Sequence, residues 1–467
     1  MSAALDRLTS ALPPRAWSKD PDVLAQHLVE WRDLYRGHTP LLLTPTSTDE
    51  VVRMVHLCRD AGLSIVPQGG NTGLVGGQTP QGEVLLSLKK MTAVRDANPQ
   101  TNALVAEAGA TLQSVHDAAL EVDRKFPLSL ASEGTATIGG LLSTNAGGVH
   151  VLKYGTMREL VFGVEAVLAD GTVHRGLTSL RKDNTGYDLS NLFVGAEGTL
   201  GIVTAASLKL HPRPAHLQRA FVALPSPDAA LDLLEASRVA SHLAMFECLP
   251  RIGLQMVLDH IDGSRDPFRE PHPWYALIDW ETDSAEAGMA LAERVLGPAF
   301  ESGTALDAVI AQSETQSETL LALRENLSAA QKPEGGSVKF DITVPIDRIP
   351  DFLRDAGTAV ERAVPSIRPV AFGHFGDGNI HYNLSQPAHL SKSGADRESY
   401  LAKWQDLTEI VFDIVHALGG SISAEHGIGI MKRDDLARRA DPSKLELMRR
   451  IKRAFDPDGM MNPRVLI

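Results

Sequence analysis

The sequence predicts an α+β fold divided into more than one domain. The chain has 467 residues, which is more than one ordinary domain holds. Glycine-rich segments dominate up to a break at His211-Pro-Arg-Pro214; helix and strand patterns then alternate, and glycine and histidine return together at 371–383 and 418–430. We therefore expect four parts: a helical lead-in at 1–36, a first domain at 37–214, a second domain at 215–417 and a C-terminal segment at 418–467 that completes the site.

Helix and strand signals follow in order along the first domain. Ser47-Thr-Asp-Glu50 predicts a capping box, the apolar stripe from Val51 to Cys58 predicts the helix behind it, and Gly62 predicts its end. Strands are predicted at 41–44, 64–67, 83–88, 103–107 and 200–210, a helix at 111–121, and a hairpin at 164–175 with Asp170-Gly171 as its turn. The last helix is predicted at 442–455, capped by Asp441.

Composition and charge narrow the class of protein. Apolar residues make up 43% of the chain and charged residues 22%, the balance of a globular protein. The net charge of −13 argues against a nucleic-acid partner, although a local group of cations could still bind a small anion. No apolar run reaches the roughly 18 residues of a membrane span, and the N-terminus lacks a secretory signal, so we expect a cytoplasmic protein. Cys58 and Cys248 are too few for a disulfide framework.

Two glycine clusters indicate phosphate binding. Five glycines lie in the segment from Gly69 to Gly77, and a second cluster runs from Pro127 to Gly148 with threonine, serine and asparagine interspersed. Such residues let backbone N–H groups approach phosphate oxygens, although tight turns at strand ends are the plainer explanation of either cluster alone. Neither cluster contains G-x-G-x-x-G or G-K-[ST], so neither a Rossmann nor a P-loop site is predicted.

These segments resemble the FAD-binding domain of the vanillyl-alcohol oxidase (PCMH-type) superfamily, and specifically its D-lactate, glycolate and D-2-hydroxyglutarate dehydrogenase branch. The resemblance rests on PQGGNTGLVGG (67–77), ATIGGLLSTNAGG (136–148), RKDNTGYD (181–188) and VGAEGTLGIV (194–203), and it extends from about residue 40 to the C-terminus. It implies a two-subdomain FAD-binding domain, an antiparallel-sheet substrate domain and a C-terminal helical segment. The flavin would be noncovalent, because the first glycine cluster contains neither histidine nor cysteine.

The resemblance implies the flavin-binding positions residue by residue. They are Pro67, Gln68, Gly69, Gly70, Asn71, Thr72, Gly73, Gly76, Leu130, Ala131, Gly134, Thr137, Ile138, Gly139, Thr144, Asn145, Gly147, Gly148, Gly201, Ile202, Val203 and Asn462.

A second constellation contains histidines and a carboxylate. His374 and His381 lie in GHFGDGNIHYN, and Glu425 and His426 lie in SAEHG. Two histidines and one carboxylate with an open position suit Zn²⁺ or another divalent metal, but structural histidines, or histidines that hydrogen-bond a substrate directly, are equally consistent with the residues alone. The resemblance implies that His374, His381 and Glu425 bind the metal. His426 is then the candidate base that takes the hydroxyl proton of a 2-hydroxy acid.

Two cations and two polar residues are candidates for binding substrate. Arg324 and Ser328 fall one turn apart on a predicted helix, and Lys339 lies on a predicted strand whose Val338 and Phe340 face the other way. A lone surface cation is usually only solvated, but the resemblance implies that Arg324, Ser328, Lys339, Asn383 and His426 contact the substrate. Ser328 stands where relatives carry threonine.

The resemblance implies oxidation of D-2-hydroxyglutarate by hydride transfer to the flavin. D-lactate, D-malate and glycolate are alternative substrates, and a flavin-binding protein without turnover is an alternative from another class. An electron-transferring flavoprotein or a quinone is the expected electron acceptor, and a homodimer is the expected assembly.

Overall fold

The computed structural model describes residues 2–238 and 242–467 and divides into two compact units. Unit 1 comprises Met1–Gly148, Gly155–Arg213 and Glu425–Ile467, and unit 2 comprises Val149–Tyr154 and Pro214–Ala424. The C-terminal segment therefore packs within the same unit as the first half of the chain. Among the described residues, no helix combines the length and the hydropathy that a membrane crossing requires.

The helices and strands of the described residues are numbered along the chain. The α-helices are α1 (Ser2–Ala11), α2 (Pro21–Leu28), α3 (Thr48–Asp60), α4 (Leu112–Glu121), α5 (Ile138–Ser143), α6 (Val151–Tyr154), α7 (Met157–Leu160), α8 (Ser190–Phe193), α9 (Pro227–Ser237), α10 (Arg251–His260), α11 (Ala285–Glu301), α12 (Glu314–Glu325), α13 (Leu327–Ala330), α14 (Ile349–Ala363), α15 (Gly394–Leu401), α16 (Trp404–Ala417), α17 (Arg433–Arg439) and α18 (Pro442–Phe455). The strands are β1 (Trp17–Ser18), β2 (Leu42–Leu43), β3 (Ile65–Gln68), β4 (Val84–Ser87), β5 (Val94–Asn98), β6 (Ala103–Glu107), β7 (Arg124–Lys125), β8 (Val161–Val167), β9 (Val173–Arg175), β10 (Ile202–Lys209), β11 (His211–Pro212), β12 (His216–Leu224), β13 (Leu243–Pro250), β14 (Trp274–Thr282), β15 (Asp307–Ile310), β16 (Ser337–Thr343), β17 (Arg368–Phe372) and β18 (Asn379–Ser385).

Unit 1 contains a four-stranded sheet, a five-stranded sheet and a short two-stranded ribbon. The four-stranded sheet has the order β1-β2-β4-β3, with β2, β4 and β3 parallel. Its strands are continuously apolar because Leu43 and Ile65 enter one core cluster while Leu42 and Val66 enter another on the opposite face. The five-stranded sheet is antiparallel in the order β5-β6-β10-β8-β9. Its β8–β9 hairpin is the predicted one, and Gly171 has the positive φ (86°) that the turn requires.

The predicted start of α3 is confirmed, but only half of the predicted capping box forms. Ser47 caps the helix, since its hydroxyl accepts the Glu50 N–H at 3.2 Å. The reciprocal bond was expected to run from the Ser47 N–H to Glu50. Instead, the Glu50 carboxylate accepts the Thr46 N–H at 2.8 Å, while Arg15 Nη2 holds its other oxygen at 2.5 Å. The long-range ion pair turns the carboxylate away from the box.

A half-buried lysine helps to anchor the C-terminal segment in unit 1. Helix α18 begins as predicted, with the Asp441 carboxylate accepting the Ser443 N–H at 2.8 Å. On its last turn, Lys452 Nζ donates to the Thr199 carbonyl at 2.7 Å, the Asp456 carboxylate at 2.5 Å and the Met461 carbonyl at 2.7 Å. The ammonium thus joins the end of the chain to the segment before β10.

Unit 2 contains two antiparallel sheets with different roles. The four-stranded sheet has the order β13-β14-β12-β15, and the three-stranded sheet has the order β16-β18-β17. One face of the three-stranded sheet is apolar: Tyr382 packs on Phe352 of α14, and Phe340 packs on Phe412 of α16. The other face, here called the polar face, carries polar side chains on β16 and β18, whereas β17 contributes the apolar Val370 and Phe372 to it. Paired backbone hydrogen bonds between Cys248 and Gly373 (2.9 and 3.0 Å) join the end of β17 to the larger sheet.

Replacing Lys452 by alanine is expected to lower the free energy of unfolding by about 3 kcal/mol, because it leaves the fully buried Asp456 carboxylate without its cation. Lys444→Ala, on the exposed first turn of the same helix, should change stability by less than about 0.5 kcal/mol. Urea denaturation of both variants measures the difference. Equal midpoints would show that the buried ion pair does not anchor the segment.

Candidate functional site

The two glycine clusters pack directly against each other in unit 1. The Gly70 N–H donates to Thr137 Oγ1 at 3.2 Å. A Cβ atom on Gly69 would lie 2.2 Å from that hydroxyl oxygen, and one on Gly70 would lie 2.0 Å from the Thr135 carbonyl oxygen. These distances leave no room for a side chain, so the backbones meet only because both residues are glycine.

Asn71 follows at a left-handed position with φ of 63°. Its Nδ2 donates to the Val29 carbonyl at 2.9 Å, which fixes the amide on the lead-in segment. Its Oδ1 is buried and has no hydrogen-bond partner among the described residues. A buried acceptor of this kind fits a bound group that brings its own donors, as the hydroxyl groups of a flavin nucleotide do.

The other positions predicted to bind flavin surround these two clusters within unit 1. Pro67 and Gln68 end β3, Thr72, Gly73 and Gly76 continue the first cluster, and Leu130, Ala131 and Gly134 precede α5. Thr137 is the residue before α5, Ile138 and Gly139 lie in α5, and Thr144, Asn145, Gly147 and Gly148 follow it. Gly201 precedes β10, and Ile202 and Val203 begin that strand. Asn462 reaches the first cluster from the chain end, since its Nδ2 donates to the Gly77 carbonyl at 3.0 Å.

Glu197 is a residue to which the sequence argument gave no role. It is buried at φ 52°, and its carboxylate accepts the N–H groups of Ile428 (2.8 Å) and Gly429 (2.7 Å). Burial raises the pKa of the Glu197 carboxyl, while the two peptide donors and Lys432 oppose that shift. The carboxylate thereby fixes the loop that directly follows Glu425 and His426. The available signal was one acidic residue inside the otherwise apolar and glycine-rich segment 194–203.

The polar face of the three-stranded sheet holds the candidate residues of unit 2. Lys339 on β16 lies opposite Asn383 on β18, and Asp341 lies opposite His381. The expectation that Lys339 faces away from Val338 and Phe340 is confirmed, since those two side chains are buried on the apolar face. His381 and Asn383 share the polar face, as their spacing of two residues predicts.

Each of the two histidines has Nδ1 beside a carboxylate. Their rings meet edge to face with centroids 5.6 Å apart, and a nitrogen of one ring lies within 4.8 Å of a nitrogen of the other. His374 Nδ1 is in contact with Glu247 Oε1, and His381 Nδ1 lies 3.8 Å from Asp341 Oδ1. When Nδ1 faces a carboxylate, Nε2 is the nitrogen that the ring can present to a metal.

Glu247 is the second residue that the sequence argument missed. Its side chain on β13 has no exposed surface, and its Oε2 accepts Arg324 Nε at 2.6 Å. Burial alone would raise the pKa of this carboxyl, but the charges of Arg324 and His374 lower the pKa well below its usual range. One ionised carboxylate therefore holds a candidate metal ligand and a candidate substrate-binding cation together.

Arg324 is not a solvated surface charge. Its guanidinium lies 5.0 Å from the centroid of the Phe372 ring, and only 12% of the side chain is exposed. Phe372 in turn lies opposite His381 in the sheet, with ring centroids 5.2 Å apart. Ser328, one turn after Arg324, is exposed.

Family models match both halves of the chain. Residues 39–176 match the FAD binding domain, and residues 213–466 match the C-terminal domain of FAD linked oxidases.

Curated relatives match over almost the whole chain. The chain is 38% identical to a mitochondrial D-2-hydroxyglutarate dehydrogenase of Bos taurus over 470 residues, covering 99% of this chain and 82% of that protein. It is 34% identical to a D-2-hydroxyglutarate dehydrogenase of Xanthomonas citri pv. viticola, covering 98% of this chain and 95% of that protein.

Solved structures share the fold at low sequence identity. p-Cresol methylhydroxylase with bound substrate superposes with a TM-score of 0.78 at 17% identity, covering 100% of this chain and 96% of that one. Alkyldihydroxyacetonephosphate synthase superposes with a TM-score of 0.72 at 18% identity, covering 99% and 85%. The predicted two-domain FAD-binding fold with mixed helices and antiparallel sheets is confirmed.

Replacing Gly70 by alanine is expected to abolish flavin retention, because the new Cβ atom would have to push the Thr135 carbonyl, 2.0 Å away, out of the second glycine cluster. The ratio of flavin to protein absorbance after gel filtration measures retention. Gly297→Ala on α11 is the control, since its Cβ atom would have nothing within 4 Å. Full flavin occupancy in Gly70→Ala would contradict the close packing of the two clusters.

Proposed function

The chain belongs to the FAD-linked oxidases, in the group of the D-2-hydroxyglutarate dehydrogenases, and from this membership we propose that it oxidises D-2-hydroxyglutarate to 2-oxoglutarate. The observation that carries the proposal is the polar face of unit 2, where a histidine pair lies beside Arg324 and Lys339. A 2-hydroxy diacid needs protein groups that bind one reacting hydroxyl and two carboxylates, and the histidines and cations of this face have the chemistry for both.

FAD supplies the acceptor for the hydride that leaves C2 of the substrate. The chain's part is to hold that cofactor noncovalently along the two glycine clusters of unit 1, with Asn462 at the first of them. The glycines let the two backbone segments approach each other closely, and the Asn71 amide oxygen offers one buried acceptor.

His374, His381 and Glu425 are proposed to hold a divalent metal ion, with zinc the first candidate. The two histidines present nitrogens close together; Glu247 contacts Nδ1 of His374, and the Asp341 carboxylate lies 3.8 Å from Nδ1 of His381. Glu425 follows Ala424, whose N–H donates to the carbonyl of Asp341, the strand partner of His381, at 3.3 Å. The chain therefore reaches Glu425 directly from β16, the strand next to the one that carries His381. A metal ion here would lower the pKa of the substrate hydroxyl and fix its orientation.

His426 is the proposed base, adjacent in sequence to the third metal ligand. As hydride leaves C2, the C2–O bond becomes a carbonyl, and a neutral imidazole at this position can take the hydroxyl proton. Glu197 restrains the peptide groups two and three residues further on, so the loop that carries His426 has a fixed end.

Arg324, Ser328, Lys339 and Asn383 are proposed to bind the substrate carboxylates. Arg324 gives Nε to Glu247, and its Nη groups remain the donors that it can turn towards a carboxylate. Lys339 adds a point charge, and Asn383 beside it adds an amide. D-malate has the same two carboxylates and lacks one methylene, which is worth only about 1–3 kcal/mol, so we expect it to be a slower substrate.

Reduced flavin is proposed to pass its electrons to an electron-transferring flavoprotein or a quinone, and the assembly is proposed to be a homodimer. A cytoplasmic location stays a prediction. The names of the cattle and rat relatives include the word mitochondrial, and that of the Xanthomonas relative does not.

Steady-state reduction of an artificial acceptor tests the substrate and the metal together. With D-2-hydroxyglutarate, L-2-hydroxyglutarate, D-malate, D-lactate and glycolate compared, kcat/KM should be highest for D-2-hydroxyglutarate. Prior chelation should lower it at least 100-fold, and added Zn²⁺ should restore it. A preference for D-lactate would overturn the roles of Arg324 and Lys339, and activity unaffected by chelation would overturn the metal site.

Replacing Glu247 by glutamine is expected to weaken metal binding 10- to 100-fold and to raise KM for D-2-hydroxyglutarate, because one neutral amide cannot accept from both Arg324 and His374. Metal retained after dialysis, measured by elemental analysis, gives a readout independent of turnover. Glu281→Gln is the matched control: this carboxylate is also buried, but it accepts hydrogen bonds from Lys153 and Tyr154, so stability should fall while metal retention should not. Wild-type metal retention in Glu247→Gln would count against the bracing role.

A further inference from the structure

The helical face that carries Arg324 and Ser328, called the helical stripe below, continues for one more turn. Helices α12 and α13 meet at Asn326, whose backbone is itself helical (φ −76°, ψ −5°). The N–H groups of Ala330 and Gln331 continue the ladder to carbonyls four residues back, at 2.8 and 3.2 Å. Arg324, Ser328 and Gln331 are therefore spaced i, i+4 and i+7 on one helical face.

Gln331 connects that helical face to the polar face of the sheet. Its Oε1 accepts Asn383 Nδ2 at 2.9 Å, and Asn383 lies directly opposite Lys339. Gln331 is 1% exposed and Asn383 is 4% exposed. The contact places the end of the helical stripe beside the part of the sheet that carries the lysine.

The nitrogen of the Gln331 side-chain amide takes no part in the contact with Asn383. Nε2 is buried and has no hydrogen-bond partner among residues 2–238 and 242–467. Because Nε2 and Oε1 are attached to the same carbon, this donor lies next to the Asn383 contact. A buried donor without an acceptor is destabilising, so an acceptor that binds there stabilises the site.

We propose that Gln331 is a further substrate-binding residue, which donates its buried amide N–H to the carboxylate remote from the reacting carbon. This inference rests on the proposed function. His381 and Asn383 are two residues apart on β18, about 6.6 Å along the strand. A five-carbon dicarboxylate can reach from the histidine pair to Asn383, Lys339 and Gln331, and a three-carbon monocarboxylate cannot. Gln331 therefore contributes to selection between 2-hydroxy diacids and short 2-hydroxy monoacids.

Gln331→Met keeps the length of the side chain and removes both amide groups. In the flavin- and metal-loaded enzyme, KM for D-2-hydroxyglutarate should rise about 10- to 100-fold, which is the loss expected for a hydrogen bond to a charged group, with kcat within about twofold. The kcat/KM for D-lactate should not change. Gln316→Leu, on the first turn of α12, is the control and should match the wild type with both substrates.

Gln331→Glu distinguishes a side chain that binds the substrate from one that only holds Asn383 in place. A carboxylate can still accept from Asn383, but it replaces the donor with a second acceptor that repels the substrate. KM for D-2-hydroxyglutarate at pH 8.5 should therefore rise at least as much as in Gln331→Met. A near wild-type KM in Gln331→Glu, or an equal loss for both substrates in either variant, would overturn the proposal.

Binding of glutarate gives a second readout that does not depend on turnover. Glutarate has both carboxylates and no hydroxyl, so it cannot be oxidised, and its Kd from calorimetry should rise in the two Gln331 variants. If the wild type binds glutarate but does not prefer D-2-hydroxyglutarate as substrate, the proposed function fails while the role of Gln331 still stands. Unchanged glutarate affinity in folded variants would contradict the role of Gln331 and leave the proposed function intact.

Discussion

The Glu247 carboxylate, with no exposed surface, holds the Arg324 guanidinium on one oxygen and the His374 imidazole beside the other. A charge removed from water is tolerated only where its partners return the lost solvation energy, so neither partner can move away without leaving a buried charge uncompensated. The backbone pairing of Cys248 with Gly373 brings β13 and the loop of His374 together before any side chain contributes. The orientation of one histidine and of one guanidinium therefore follows from the same strand, and the three-stranded sheet supplies the second histidine beside them.

In unit 1, the contacts bring together three segments of backbone that are far apart in sequence. Two glycine clusters approach so closely that a single Cβ atom would separate them. The end of the chain is then held by groups of opposite character. Glu197 accepts from backbone N–H groups of the loop after His426, and Lys452 donates to the carbonyl groups of Thr199 and Met461. Both charged groups are largely buried and bonded to main chain, so they fix the path of the loop rather than its side chains. A rigid path is what the base proposed at His426, next to a proposed metal ligand, requires.

Much of the fold could be predicted because its signals are local. Caps such as Ser47 and Asp441, the Asp170-Gly171 turn and the alternation along 337–343 each depend on residues within a few positions, and all appear in the structure. The residues that brace the candidate site could not be found in this way. Glu247 meets Arg324 across 77 positions and Glu197 meets Ile428 across 231, and nothing near either glutamate marks it as buried. Glu50 shows the same limit, since its local role was displaced by Arg15, 35 residues away.

The Arg324–Glu247 pair also constrains how the site could balance charge. Because the guanidinium is already neutralised by a buried carboxylate, Arg324 can offer directed donors to a substrate but adds no net positive charge. A dianionic substrate entering a protein of net charge −13 would then have Lys339 and a bound divalent cation as its compensating charges on the polar face. Under this arrangement the proposed metal ion would help to bind the substrate as well as to activate its hydroxyl. Neutral donors such as those of Asn383 and Gln331 matter more than they would in a basic pocket, because they stabilise a carboxylate without requiring another buried charge.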